Sequence, residues 1–147
     1  MIGVNEMFPS FEKNGVDGDE LVTKSSSDYT GWRVFYFYPK DFTPGCTTEA
    51  CEFRDQFAAF RDLDIPVFGI SRDSLATHEK FKKTHRLPFE LLADESGKVC
   101  KAYDALLPLI KMPTRVTYLL DSNHQIAGVF QGLFENKAHV AAMIKQL

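Results

Sequence analysis

The chain has 147 residues, 44% hydrophobic and 25% charged, which is ordinary for one water-soluble domain able to bury its own core. Its net charge of -3 excludes the basic surplus expected of a nucleic-acid binder, and no apolar run approaches the length of a membrane span. MIGVNEMFPSF lacks the basic, apolar and small-residue blocks of a signal peptide, so the expected location is the cytoplasm, or an organelle if a targeting segment has been trimmed.

No repeat, low-complexity tract or linker divides the sequence, so residues 1–147 read as a single domain. FPSFEKNGVDGDELV reads as a short N-terminal hairpin. Val34 to Tyr38 is a continuous β-branched and aromatic run stopped by Pro39, as in a strand buried on both faces. Pro44 and Gly45 break the chain, and a helix opens at Cys46 or Thr47. Its apolar stripe is Cys46, Ala50, Phe53, Phe57 and Phe60, at alternating spacings of four and three.

PVFGIS, Pro66 to Ser71, is a second buried strand, and Asp73 or Ser74 caps a helix running to about Arg86, before Pro88. Further elements are a short strand at Phe89–Leu92, a helix from about Lys98, and a strand at Val116–Leu120. A turn and strand follow in SNHQIAGVFQG, then a last helix capped by Asn136 with Val140, Ile144 and Leu147 on one face. Thirteen Phe point to an aromatic-rich core. Strands alternating with helices imply an α/β sandwich, a mixed sheet flanked by helices, with which a thioredoxin-like fold is compatible.

The chemistry centres on DFTPGCTTEACEFRD, Asp41 to Asp55, which carries Cys46 and Cys51. Three cysteines do not make a disulfide scaffold, and in a reducing compartment such residues are more often catalytic or metal-binding. On a helix, positions five apart have Cα atoms roughly 8.7 Å apart. A disulfide needs about 6.8 Å or less. A bond between the two cysteines therefore requires the first turns of the helix to unwind.

Cys46 falls where free backbone N–H groups and the positive end of the helix dipole favour thiolate over thiol. Pro44 removes a competing donor, Gly45 permits close approach of a small ligand, and the Thr43 hydroxyl can donate to a thiolate or accept from a peroxide. A zinc half-site is the weaker reading, because structural zinc takes four ligands and the four histidines are dispersed. His78-Glu79 is not a zincin helix, since position 82 is Lys. A pair of packed thiols remains open, but Thr-Pro-Gly before the helix favours redox chemistry.

FYFYPKDFTPGCTTEACEFRD resembles the active-site segment of peroxiredoxins, and more narrowly of the peroxiredoxin Q group, also called bacterioferritin comigratory proteins. The Pro-x-x-x-Thr-x-x-Cys pattern stands as Pro39, Thr43 and Cys46. PVFGISRDS, LLADESGKVCKAYD and TRVTYLLD resemble that group in the same order, so the likeness covers most of the chain. It implies a thioredoxin-like fold and a hydroperoxide-reducing enzyme with no metal or prosthetic group.

In that reading Cys46 is the peroxidatic cysteine, Thr43 hydrogen-bonds thiolate and peroxide, and Pro39 shields the sulfenate. Arg115, in TRVTYLLD, matches the family's active-site arginine. Cys51 becomes the resolving cysteine, since the helix that carries it in other members of the group, roughly Ser74 to His85 here, holds none. A thioredoxin-type dithiol protein is the implied reductant. A monomer is expected, with a dimer as the other option.

Two rival readings differ in class. A general thiol–disulfide oxidoreductase would show Cys-x-x-Cys after the first core strand, and this chain does not. A redox sensor would need only stoichiometric oxidation. Glu49 and Arg54 are read as partners of each other or of Arg115, or as solvated positions. Cys100, His78 and the loop LLPLIKMP (106–113) are read as packing elements, the loop secondarily as a peroxide entrance and donor seat. KFKKTHR (80–86) is read as a solvated face.

Overall fold

The aromatic run after residue 33 forms an interior strand of a sheet that has seven strands among the described residues. The structure is a computed structural model that describes residues 12–17, 20–25, 31–55, 57–62, 65–107, 109, 111–123 and 125–131. Its elements are β1 (Glu12–Asp17), β2 (Glu20–Ser25), β3 (Arg33–Phe37), α1 (Pro44–Asp55), α2 (Phe57–Asp62) and β4 (Val67–Ser71). They continue with α3 (Leu75–His85), β5 (Glu90–Ala93), α4 (Lys98–Ala102), β6 (Val116–Leu120) and β7 (Ile126–Gln131). The helix expected after Asn136 lies outside the described residues.

In space the strands run β2-β1-β5-β4-β3-β6-β7. β3, β4 and β5 are parallel, and every other pairing is antiparallel. The expected N-terminal hairpin is β1–β2, and it joins the sheet edge by pairing Gly15 with Leu92 and Val16 with Leu91.

Alternation along β3 builds two cores, one on each face of the sheet. Val34, Tyr36 and Tyr38 point to the side of α1, α2 and α3, where they meet Cys46, Ala50, Phe53, Phe60, Phe81 and Leu91. Phe35 and Phe37 point to the other side, with Phe68, Val99, Tyr103, Val116 and Tyr118. The Tyr36 ring stacks on Phe53 at 4.7 Å and crosses the backbone of β4 at Gly69. A Cβ on Gly69 would stand 2.7 Å from Leu91 Cδ2 and 2.8 Å from Tyr36, so only glycine lets that ring lie flat.

The predicted helical stripe is present, and Cys46, Ala50, Phe53 and Phe60 are buried with Phe57 packed beside them. Its residues lie on α1 and α2, on either side of position 56, which is outside the described residues. The next helix keeps its predicted limits: the Ser74 hydroxyl accepts from Thr77 N–H, and Arg86 closes it in the left-handed conformation at φ 52°. The basic run at its end is not a solvated face throughout. Lys82 is buried and donates from Nζ to the Phe89 carbonyl, because the chain folds back under α3 into β5. Among the described residues no helix is long and apolar enough to cross a membrane.

Candidate active site

Cys46 is the third residue of α1, in the turn whose N–H groups lack partners within the helix. Its sulfur accepts a hydrogen bond from Arg115 Nη2 at 3.2 Å, although the two residues are 69 positions apart. The sheet explains the meeting. β6 runs antiparallel to β3 with Val116 opposite Phe37, so the residue before β6 lies beside the loop that leaves β3 for α1. Both side chains are buried, which strengthens the attraction between guanidinium and thiolate relative to water. Gly45 completes the contact, because a Cβ there would sit 3.1 Å from Arg115 Nη2.

The loop between β3 and α1 is braced from beneath. Tyr38 donates its hydroxyl proton to Asp41 Oδ1 at 2.6 Å, and Asp41 Oδ2 lies 2.6 Å from His78 Nδ1. His78 Nε2 in turn reaches the Leu92 carbonyl at 3.1 Å. Asp73 Oδ2 accepts both the Asp41 N–H and the Ser71 hydroxyl. Burial, then the neighbouring Asp41 charge, pushes the Tyr38 phenol well above its usual range. The donor atoms of Asp41, Asp73 and His78 lie within 4.8 Å of one another, as a metal site would require. Each is already matched to a protein partner, so the cluster works as a hydrogen-bonded brace. His78 is the packed, hydrogen-bonded histidine that its position implied, and Asp41 is the partner the sequence did not reveal.

Above the brace, Phe42 takes a left-handed backbone at φ 63° and rests its ring on Phe81 at 5.1 Å. Thr43 donates its hydroxyl proton to the Lys40 carbonyl at 2.9 Å, which leaves its lone pairs to accept from a ligand. Its own carbonyl accepts from Thr47 N–H and starts α1. Pro39 stands half-buried just beyond β3.

Cys51 is half-buried two turns along the same helix, and its sulfur lies 3.9 Å from Nδ1 of His85, the last residue of α3. Arg54 is partly exposed on the same helix. Its Nε bonds Asp55 at 3.0 Å and its Nη1 donates to the His85 carbonyl at 2.8 Å, tying α1 to the end of α3. The side chain of Glu49 is outside the described residues. His85 was missed by motif reasoning, yet the spacing 78, 81, 85 was enough to place it on the face of α3 that carries the buried His78 and Phe81.

Cys100 is buried on the other side of the sheet. Its N–H donates to Asp94 Oδ2 at 2.8 Å, and burial first, then the Asp94 charge, pushes its thiol far up. It is the packed thiol that its helical face implied. The apolar loop before Arg115 is core packing only in part: Leu106 packs against the second core and Pro113 is buried, whereas Leu107 and Met112 are exposed and Leu109 is 93% exposed. The loop closes on itself through Leu107 N–H to the Met112 carbonyl and Lys111 N–H to the Leu107 carbonyl. Arg72 Nη1 anchors it at the Lys111 carbonyl.

Residues 4–129 match the profile of the AhpC/TSA family. Peroxiredoxin Bcp of Bacillus subtilis (strain 168) is 48% identical over 104 residues, covering 70% of this chain. Peroxiredoxin Q, chloroplastic, of Oryza sativa subsp. japonica is 40% identical over 141 residues, covering 95% of this chain. The chain spans 64% of the length of each of these relatives. Among solved structures, peroxidoxin BcpB from Mycobacterium tuberculosis superposes with a TM-score of 0.89 at 29% identity, over 99% of this chain and 96% of that one. A mutant of Xylella fastidiosa PrxQ gives 0.85 at 27% identity, over 99% and 97%.

Proposed function

The chain belongs to the AhpC/TSA family, with the thioredoxin-like fold of its peroxiredoxin neighbours, and we propose from its site that it is a thiol-dependent peroxidase. The observation that carries the proposal is the 3.2 Å contact from Arg115 Nη2 to Cys46 Sγ at the first turn of a helix. A cysteine packed for its size alone needs no buried guanidinium, whereas a nucleophilic thiolate does.

The Cys46 thiolate attacks one oxygen of a hydroperoxide, hydrogen peroxide or an alkyl hydroperoxide. The O–O bond breaks, Cys46 becomes a sulfenic acid, and the other oxygen leaves as water or an alcohol after taking a proton. Arg115 stabilises the thiolate before the step and the negative oxygens during it. Thr43 accepts a hydrogen bond from the peroxide and orients it, and Pro39 shields the sulfenate.

Cys51 then condenses with the sulfenate. Because both cysteines sit on α1, five positions apart, the start of α1 must unwind for the sulfurs to meet. A thioredoxin-type dithiol protein reduces the resulting disulfide in a reducing compartment, the cytoplasm or an organelle such as the chloroplast that houses the rice relative. Residues 1–147 act as one domain.

Peptide mapping of reduced protein, quenched seconds after one equivalent of hydrogen peroxide, tests this directly. The expected product is a Cys46–Cys51 bridge with Cys100 still alkylatable. Three unmodified thiols overturn the peroxidase. A bridge to Cys100 or between chains removes Cys51 as the resolver. Repeated turnover with a dithiol reductant separates an enzyme from a sensor oxidised once.

A further inference from the structure

We propose that His85 is the base that ionises Cys51 for the resolving step, an assignment that rests on the resolving role given above. Its Nδ1 lies 3.9 Å from Cys51 Sγ, within reach of a sulfur hydrogen bond. With its own proton on Nε2, the neutral imidazole accepts the thiol proton at Nδ1. The ring is held in place. Phe81 meets it edge-on at 5.1 Å, and Phe42 lies at 6.2 Å on the side of the catalytic turn.

The backbone fixes the same junction. Arg54 Nη1 bonds the His85 carbonyl, and Arg54 Nε is steadied by Asp55. The half of α1 that carries Cys51 is therefore pinned to the end of α3, while the half that carries Cys46 is held by Arg115. Unwinding the first turns frees Cys46 and leaves Cys51 beside His85. Among the described residues, the charged groups beside the pair in sequence include Glu52, Arg54 and Asp55 on α1, with Lys82, Lys83 and Arg86 at the end of α3. Lys82 is committed to the Phe89 carbonyl, and Lys83 pairs with Glu79.

The Cys51 proton passes to His85 Nδ1, and the thiolate attacks the Cys46 sulfenic sulfur. The S–S bond forms as the S–O bond breaks, and the departing hydroxide takes a proton and leaves as water. Cys51 is oxidised as the sulfenic sulfur is reduced. An ordinary thiol is only about 3% ionised at pH 7, so full deprotonation accelerates this step by at most about 30-fold.

The test uses the full chain with His85→Gln, a change that leaves the backbone carbonyl bound by Arg54. In a Cys46→Ser background, the pH dependence of Cys51 alkylation by iodoacetamide reads the pair without any peroxide chemistry. We expect Cys51 to react about tenfold more slowly at pH 7 in His85→Gln. With Cys46 present, rapid quenching after one equivalent of peroxide should show sulfenate forming at an unaltered rate and the disulfide about tenfold more slowly. His85→Asn should repeat both results if the Gln variant folds poorly.

Equal alkylation profiles with and without His85 overturn the assignment. If Cys51 responds to His85 but the parent protein never bridges Cys46 to Cys51, the resolving role fails and the base role with it. If Cys46 does not react with peroxide at all, the peroxidase fails, while the alkylation profile still reports whether the histidine activates the thiol.

Discussion

The guanidinium of Arg115 passes 3.1 Å from the point where a Cβ on Gly45 would stand, so the residue before Cys46 sets how closely the arginine can approach. Gly45→Ala should push Nη2 a few tenths of an ångström away from Cys46. The second-order rate constant for hydrogen peroxide should fall roughly three- to tenfold, because the lost contact acts on developing charge. Thermal stability should hold or rise, since alanine favours a helix by about 1 kcal/mol over glycine. Stopped-flow oxidation and a melting curve on one sample separate the two effects.

Removing the arginine should cost far more. Arg115→Gln should slow peroxide attack about 10²- to 10³-fold, the range for a lost donor aimed at transition-state charge. Arg115→Lys should recover only part of that, because a point charge on a different stem does not reproduce the guanidinium fork. Equal rates for the Lys variant and the parent would show that charge alone is needed.

Asp41→Ala should destabilise the fold by about 2–5 kcal/mol, leaving the buried Tyr38 hydroxyl and His78 Nδ1 without their carboxylate. Asp41→Asn should cost less, since one carboxamide oxygen can still accept from Tyr38. Urea titration gives both values. The Ala variant should also react more slowly with peroxide, because the turn that presents Thr43 loses its brace.

The buried thiol of Cys100 should make the fold sensitive to alkali. Its ionisation is pushed up in the folded chain, by burial first, whereas an unfolded thiol ionises near pH 8.5. Above that pH the unfolded state has lost a proton that the folded state still holds, so stability falls by about 1.4 kcal/mol per pH unit for this one group. Tyr38 and Tyr103 are raised in the same direction and add to the slope above about pH 10. Urea midpoints from pH 7 to 10 should decline in the parent and more gently from pH 8.5 in Cys100→Ala. Parallel curves would exclude the thiol as the cause.

Local signals carried much of the architecture. The strand after Arg33, the Ser74 cap, the stop before Pro88 and the strand at Val116–Leu120 all lie in composition and spacing. Contacts between distant segments were not visible in that way. Lys82 reads as solvated until the chain returns beneath it at Phe89, and Asp41 reads as a turn residue until α3 supplies His78. In the site, the thiols and Thr43 were legible in one short motif. Arg115 was identified only through its resemblance to a known segment, since nothing near it in sequence points to Cys46.

That long separation has a consequence for how the chain is made. The arginine follows the cysteine by 69 residues and reaches it only when β6 has paired with β3 in register, with Val116 opposite Phe37. A slip of one residue would turn every side chain of β6 to the wrong face. During synthesis Cys46 therefore leaves the ribosome well before its arginine, and meets it only once β6 has paired with β3. If Cys46 is the peroxidatic thiol proposed above, reactivity toward oxidants becomes a certificate of correct folding that half-made or misregistered chains do not carry.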